Sequence, residues 1–117
     1  TIPLHLGSIP TALESVLEHF GDDICPGDIF VMNDPYAGGM HLPDVFIFQP
    51  IFVEGERLAI AATISHQADV GGRVPGSNAS DSTEIYQEGL LGARAHQRTR
   101  PRAGRCAYTT QKGEWGL

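Results

Sequence analysis

Cysteine, positive charge and long apolar runs are all scarce in this chain, and each scarcity narrows what it does. Its 117 residues include two cysteines, Cys25 and Cys106. Two make no disulfide framework, and neither has a partner at zinc-finger spacing. Each reads as a small apolar filler, and a reducing, cytoplasmic setting is the default. No stretch reaches about 18 apolar residues, so no transmembrane helix is expected. The opening Thr1-Ile2-Pro3-Leu4 carries no basic region and no apolar core, so no signal peptide is expected there. It also lacks an initiator Met, which implies a processed or truncated start. No G-x-x-x-x-G-K-[ST] or G-x-G-x-x-G stretch is present, so no nucleotide-cradling loop is expected here.

Basic residues are rare up to residue 88, where 13 acids face only Arg57 and Arg73, a balance of −11. Residues 89–117 hold six basic residues and one acid, Glu114, a balance of +5, which restores the overall −6. This switch marks a boundary near Gly89. The basic part has no apolar period and no interleaved aromatic residues, which argues against nucleic-acid binding. We expect residues 91–117 to be an unstructured tail whose sequence is foreign to the rest, as a frameshift would produce.

Glycine and proline, by contrast, are plentiful at 14 and 8 residues. They predict many turns and functional loops. Residues 9–20 predict a helix, with Pro10 in its first turn and Thr11 capping together with Glu14. Leu13, Val16, Leu17 and Phe20 recur at i, i+3, i+4, i+7, and Gly21 stops the run. Residues 29–32 read as a short buried strand. Residues 45–53 read as a strand that Pro50 confines to an edge or a bulge. Glu54-Gly55-Glu56 is a hairpin turn, and residues 58–64 form the returning strand. Residues 75–83 are a polar loop, and residues 84–91 a short helix or strand.

Asp34, His41, Asp44, His66 and Asp69 all fall at strand ends or in Gly-rich turns. Two strands running to one sheet edge bring such residues together. Carboxylate and imidazole donors suit Zn²⁺, Mn²⁺ or Fe²⁺. Gly38, Gly39, Gly71 and Gly72 allow close approach of a ligand. The residues alone leave other readings open. Asp34 before Pro35 also suits a turn-forming Asx residue. His41 and Asp44 also suit an ordinary loop pair, and His66 a satisfied core histidine.

Several stretches carry a resemblance over residues 1–90. They are Ile2-Pro3-Leu4-His5-Leu6-Gly7-Ser8, Pro26-Gly27-Asp28, Asn33-Asp34-Pro35-Tyr36, residues 38–44 (GGMHLPD), residues 65–72 (SHQADVGG), Pro75-Gly76-Ser77 and residues 82–89 (STEIYQEG). In order and spacing they resemble the hydantoinase B/5-oxoprolinase family, with its N-methylhydantoinase and acetone and acetophenone carboxylase members. The resemblance implies a partial-length piece of an α+β domain, with a mixed β-sheet, few short helices and Gly/Pro-rich functional loops. It implies that the parent enzyme hydrolyses a cyclic amide, 5-oxoproline or a hydantoin, with ATP handled by a partner subunit or domain of the hydantoinase A type. Carboxylation of a ketone and an inactive interaction module are the alternatives. It also implies a divalent metal held first by Asp34, His66 and Asp69, with His41 and Asp44 next, and catalytic roles for Asp34, His41 and His66. The family usually has Thr where Met40 stands.

Overall fold

The computed structural model describes residues 2–92 and the backbone of residues 95–98. One helix, α1 (Pro3–Phe20), lies against a four-stranded sheet of β1 (Asp28–Met32), β2 (Asp44–Val53), β3 (Glu56–His66) and β4 (Ala95–Arg98). The strand order is β3-β2-β1-β4. The α+β architecture is as expected. All three strand pairings are antiparallel, a narrower arrangement than a mixed sheet.

Helix α1 starts six residues earlier than its apolar stripe suggests. Pro3, not Pro10, takes the first-turn position, where a missing N–H costs nothing. Ile2 is the N-cap and makes no side-chain cap, so Thr11 and Glu14 form no capping box at the helix start. Pro10 lies inside the helix. An interior proline costs about 3 kcal/mol, set against the burial of Ala12 and Val16 in the core. Gly21 closes the helix, its N–H donating to Leu17 O at 2.8 Å.

The sheet face under α1 is read directly from alternation. Phe30 and Met32 of β1 and Phe46 and Phe48 of β2 are buried and pack with Ala12, Val16 and Ile24. Ile60 and Ile64 of β3 border the same cluster. Pro50 is tolerated because β1 pairs with β2 only as far as Phe48, which leaves Pro50 paired to β3 alone. The register shifts just beyond it, between Ile51 and Phe52. Glu54 and Gly55 both have positive φ, 51° and 87°, as a two-residue hairpin turn of the I′ kind requires. Residues 84–91 resolve into a 3-10 turn at Ile85–Gln87, preceded by another at Pro75–Ser77.

Asn33 ties the end of β1 to two other segments. Its Nδ2 donates to Leu42 O at 2.8 Å and to Leu90 O at 2.9 Å, and its Oδ1 accepts from Gly92 N at 2.6 Å. A buried amide that satisfies three partners leaves several of them unpaired when it is removed. Asn33→Ala should therefore destabilise the fold by about 2–4 kcal/mol. Urea unfolding checks this, and a loss under 1 kcal/mol would show that the clamp is dispensable.

The strand Ala95–Arg98 departs from the unstructured tail expected after residue 90. It pairs antiparallel with β1, Phe30 facing His96 in register. Asn33 holds the approach to it at Leu90 and Gly92. Charge composition could not report this, because backbone pairing does not depend on side-chain charge. The rest of the expected tail, 99–117, lies outside the described residues. Cys25 is buried and is not a free thiol. Among the described residues no helix is long and apolar enough to cross a membrane.

Candidate functional site

Alternation along β2 puts Asp44 on the same face as Phe46 and Phe48, at the rim of the apolar layer. Its side chain is only 1% exposed. A carboxylate in that position is costly unless it is paired. Three imidazoles surround it. His66 ends β3 directly opposite Asp44 in the β2–β3 register, and its Nδ1 lies 2.9 Å from Asp44 Oδ1. His41 stands one tight turn before β2, where Asp44 N donates to His41 O at 3.0 Å. Its Nδ1 is 2.7 Å from Asp44 Oδ2. His5, in the first turn of α1, places Nε2 3.2 Å from the same Oδ2. The His41 and His66 rings stack with centroids 5.3 Å apart.

Asp44 Oδ2 thus touches two ring nitrogens, yet it accepts no hydrogen bond of proper geometry. The angles decide here, because a hydrogen bond weakens steeply below about 120° whatever its length. A buried carboxylate oxygen left without a directed partner suits a cation. Among the described residues, His41, Asp44 and His66 are the one group of three or more possible ligands, with donor atoms within 4.8 Å of one another. Two imidazoles and one carboxylate suit Zn²⁺, Mn²⁺ or Fe²⁺. These residues open onto a pocket of about 360 Å³ that Ile2, His5 and Met40 also line.

Asp34 and Asp69 stand outside this group. Asp34 Oδ1 accepts from Tyr36 N at 2.9 Å, capping the 3-10 turn Pro35–Ala37. Asp69 is exposed, and its Oδ1 accepts from Gly71 N at 2.9 Å. Each carboxylate holds its own backbone two residues on, the habit of aspartate in turns. The expected first-choice set Asp34, His66 and Asp69 is therefore not brought together, whereas the second-choice pair His41 and Asp44 joins His66. His5 was missed as a site residue. The signal for it lay in the Ile2–Ser8 stretch, but nothing in sequence ties a residue on α1 to the start of β2.

The glycines serve the loops. Gly38 has φ 95°, and a Cβ there would lie 2.6 Å from Ala12 N and 2.8 Å from Thr11 C. The turn before His41 thus lies directly on the α1 backbone. Gly72 packs as closely on Glu88 O, 2.5 Å from where its Cβ would be.

A family model described as Hydantoinase B/oxoprolinase matches residues 1–96. The match runs beyond residue 90 and into β4. The chain is 40% identical over 88 residues to 5-oxoprolinase 1 of Arabidopsis thaliana, covering 75% of this chain and 7% of that protein. It is 42% identical over 89 residues to caprolactamase subunit beta of Pseudomonas jessenii, covering 76% of this chain and 15% of that subunit. Among solved structures, ATP-dependent caprolactamase from Pseudomonas jessenii superposes with a TM-score of 0.75 at 39% identity, over 81% of this chain and 16% of that one. Nucleotide-free acetone carboxylase, an enzyme of ATP-dependent acetone carboxylation, superposes with a TM-score of 0.66 at 29% identity, over 74% of this chain and 12% of that one. The chain therefore spans a small part of the length of each relative.

Proposed function

The chain belongs to the hydantoinase B/oxoprolinase family, and from that premise we propose that His41, Asp44 and His66 form the divalent-metal site of a larger ATP-dependent enzyme that opens cyclic amides. One observation carries the reading: Asp44 Oδ2 is buried, touches two imidazole nitrogens and makes no directed hydrogen bond. When bound, a divalent ion supplies Lewis acidity toward a carbonyl or phosphoryl oxygen, or lowers the pKa of a water. Asp44 contributes the negative charge at that point. His41 and His66, the two rings of the group that line the pocket, contribute nitrogen donors and are the candidates for proton transfer. Asp34 and Asp69 shape the loops around them. Met40 and Ile2 give the pocket an apolar wall against which the carbon part of a ring can rest.

Relatives named 5-oxoprolinase and caprolactamase support a cyclic amide as substrate. A "subunit beta" relative supports a partner chain. We assign ATP handling to a partner subunit or domain of the hydantoinase A type. Ketone carboxylation is the second reading, favoured by the acetone carboxylase superposition. We rank it second because identity to the caprolactamase structure is higher, 39% against 29%.

His66→Ala tests the assignment. The ring is 60% exposed, so its loss removes little core packing. In the complete parent enzyme, turnover on 5-oxoproline or a lactam should fall at least about 100-fold, since even residues behind a metal's ligands are worth 10–100-fold. The melting temperature without added metal should stay put. Unchanged metal content together with an unchanged rate would reject His66 as a ligand.

A further inference from the structure

We propose that His5 is a positioning residue for this centre: from helix α1 it orients the Asp44 carboxylate by holding Oδ2. The inference rests on the metal reading above and goes beyond it, because it makes the helix part of the site. His5 lies outside the three-residue group whose donors converge, so it acts through Asp44 rather than on the ion. Its side chain is 15% exposed and lines the pocket. Its Nε2 is 3.2 Å from Oδ2, and Oδ2 lacks a directed bond. A ligating carboxylate is itself hydrogen-bonded, and that outer partner fixes its orientation. Oδ2 has two ring nitrogens in reach, and His41 belongs to the ligand group. A carboxylate oxygen has two lone pairs, so once His41 turns to an ion, Oδ2 can face that ion with one and accept from His5, the nitrogen left, with the other. Histidine χ2 is broad and soft, so a modest ring rotation turns the 3.2 Å contact into a directed N–H···O bond.

The arrangement is held from the helix side as well. Ser8 Oγ donates to His5 O at 3.0 Å, and His5 N donates to Ile2 O at 3.0 Å. The first turns of α1 therefore set where the imidazole stands. The Gly38 turn, which leads to His41, rests on the same helix at Thr11 and Ala12. Both Oδ2 contacts are thus referenced to one element.

The test uses the 117-residue chain and Co²⁺ as probe, with affinity and the visible absorption spectrum as readouts. His5→Leu removes the donor. His5→Gln keeps an N–H donor at nearly the same reach, but its amide is a poor metal ligand. We expect His5→Leu to bind Co²⁺ about 10–100-fold more weakly, His5→Gln to recover most of the loss, and both to keep the unsubstituted spectrum. Circular dichroism without metal should be the same for all three. Affinity unchanged in His5→Leu overturns the inference while leaving the metal reading in place. A changed spectrum in both variants also overturns it, by making His5 a direct ligand. A weak, unrescued His5→Gln overturns it too, even if His5→Leu fails to fold. No Co²⁺ binding by the unsubstituted chain overturns both the metal reading and this inference.

Discussion

Asp44→Asn should lower divalent-ion affinity more than about 100-fold, beyond the 10–100-fold typical of residues behind a ligand, while the fold persists. Asparagine has the same shape and can still make hydrogen bonds to the surrounding rings, so packing at the start of β2 survives. What disappears is the only carboxylate of the His41–Asp44–His66 group. Without its charge, two neutral imidazoles face the ion in a half-buried place. Thermal unfolding with and without Zn²⁺ or Mn²⁺ reads the difference. An ion at 100 times its dissociation constant adds about 2.7 kcal/mol to the unsubstituted chain. For a unit of this size that is a melting-temperature rise of roughly 10–20 °C. The variant should show almost none. An equal rise in both proteins would mean that the ion binds elsewhere.

Gly38→Ala should be among the most damaging single substitutions, at about 3–4 kcal/mol. Two costs combine. A side chain at φ 95° is strained by about 1–2 kcal/mol. A Cβ placed 2.6 Å from Ala12 N and 2.8 Å from Thr11 C also meets helix backbone, which cannot swing aside as a side chain can; overpacking of this kind costs about 1–3 kcal/mol. Gly55→Ala isolates the first cost, because Gly55 has φ 87° but nothing within 4 Å of its Cβ position. Unfolding free energies of the two variants, from denaturant titrations, should differ by about 2 kcal/mol in the expected order. If they match, the close approach of loop and helix contributes nothing. Because the Gly38 turn leads to His41, the surviving folded fraction of Gly38→Ala should also bind metal more weakly.

The sequence was most informative where local chemistry and tertiary outcome agree. The β2–β3 hairpin follows from Glu54-Gly55 between a β-branched, aromatic run and an apolar returning run, and its strands lie within two residues of expectation. His41, Asp44 and His66 stand out as motif residues at strand ends and turns, which is where the fold brings them together. The start of α1 was illegible because Pro10 is a strong local breaker, and only packing of Ala12 and Val16 against the sheet overrides it. Asp34 and Asp69 misled for the opposite reason. Their residue type suits a metal, but an Asx turn satisfies the same oxygen with a backbone N–H two residues away, and residue type alone does not separate the two uses. His5 was hidden because its partner lies 39 positions on, a contact that no period along the chain encodes. The pairing of Ala95–Arg98 was hidden because a ladder of backbone hydrogen bonds leaves little mark on composition.

The facing of Asp44 and His66 across β2 and β3 has a consequence far from the pocket. Side chains alternate between faces along a strand, so sliding one strand by a single residue sends His66 to the side of the sheet away from Asp44. What prevents the slide lies at the other end of the hairpin, about 30 Å away at 3.3–3.4 Å per residue. There the two-residue turn at Glu54-Gly55 and the extra residue near Ile51 fix how the strands count against each other. One residue gained or lost in that turn leaves every pocket side chain chemically intact and still takes the centre apart. The hairpin tip is thus an address for the site, and a metal-binding measurement would double as a check on how the two strands have been aligned.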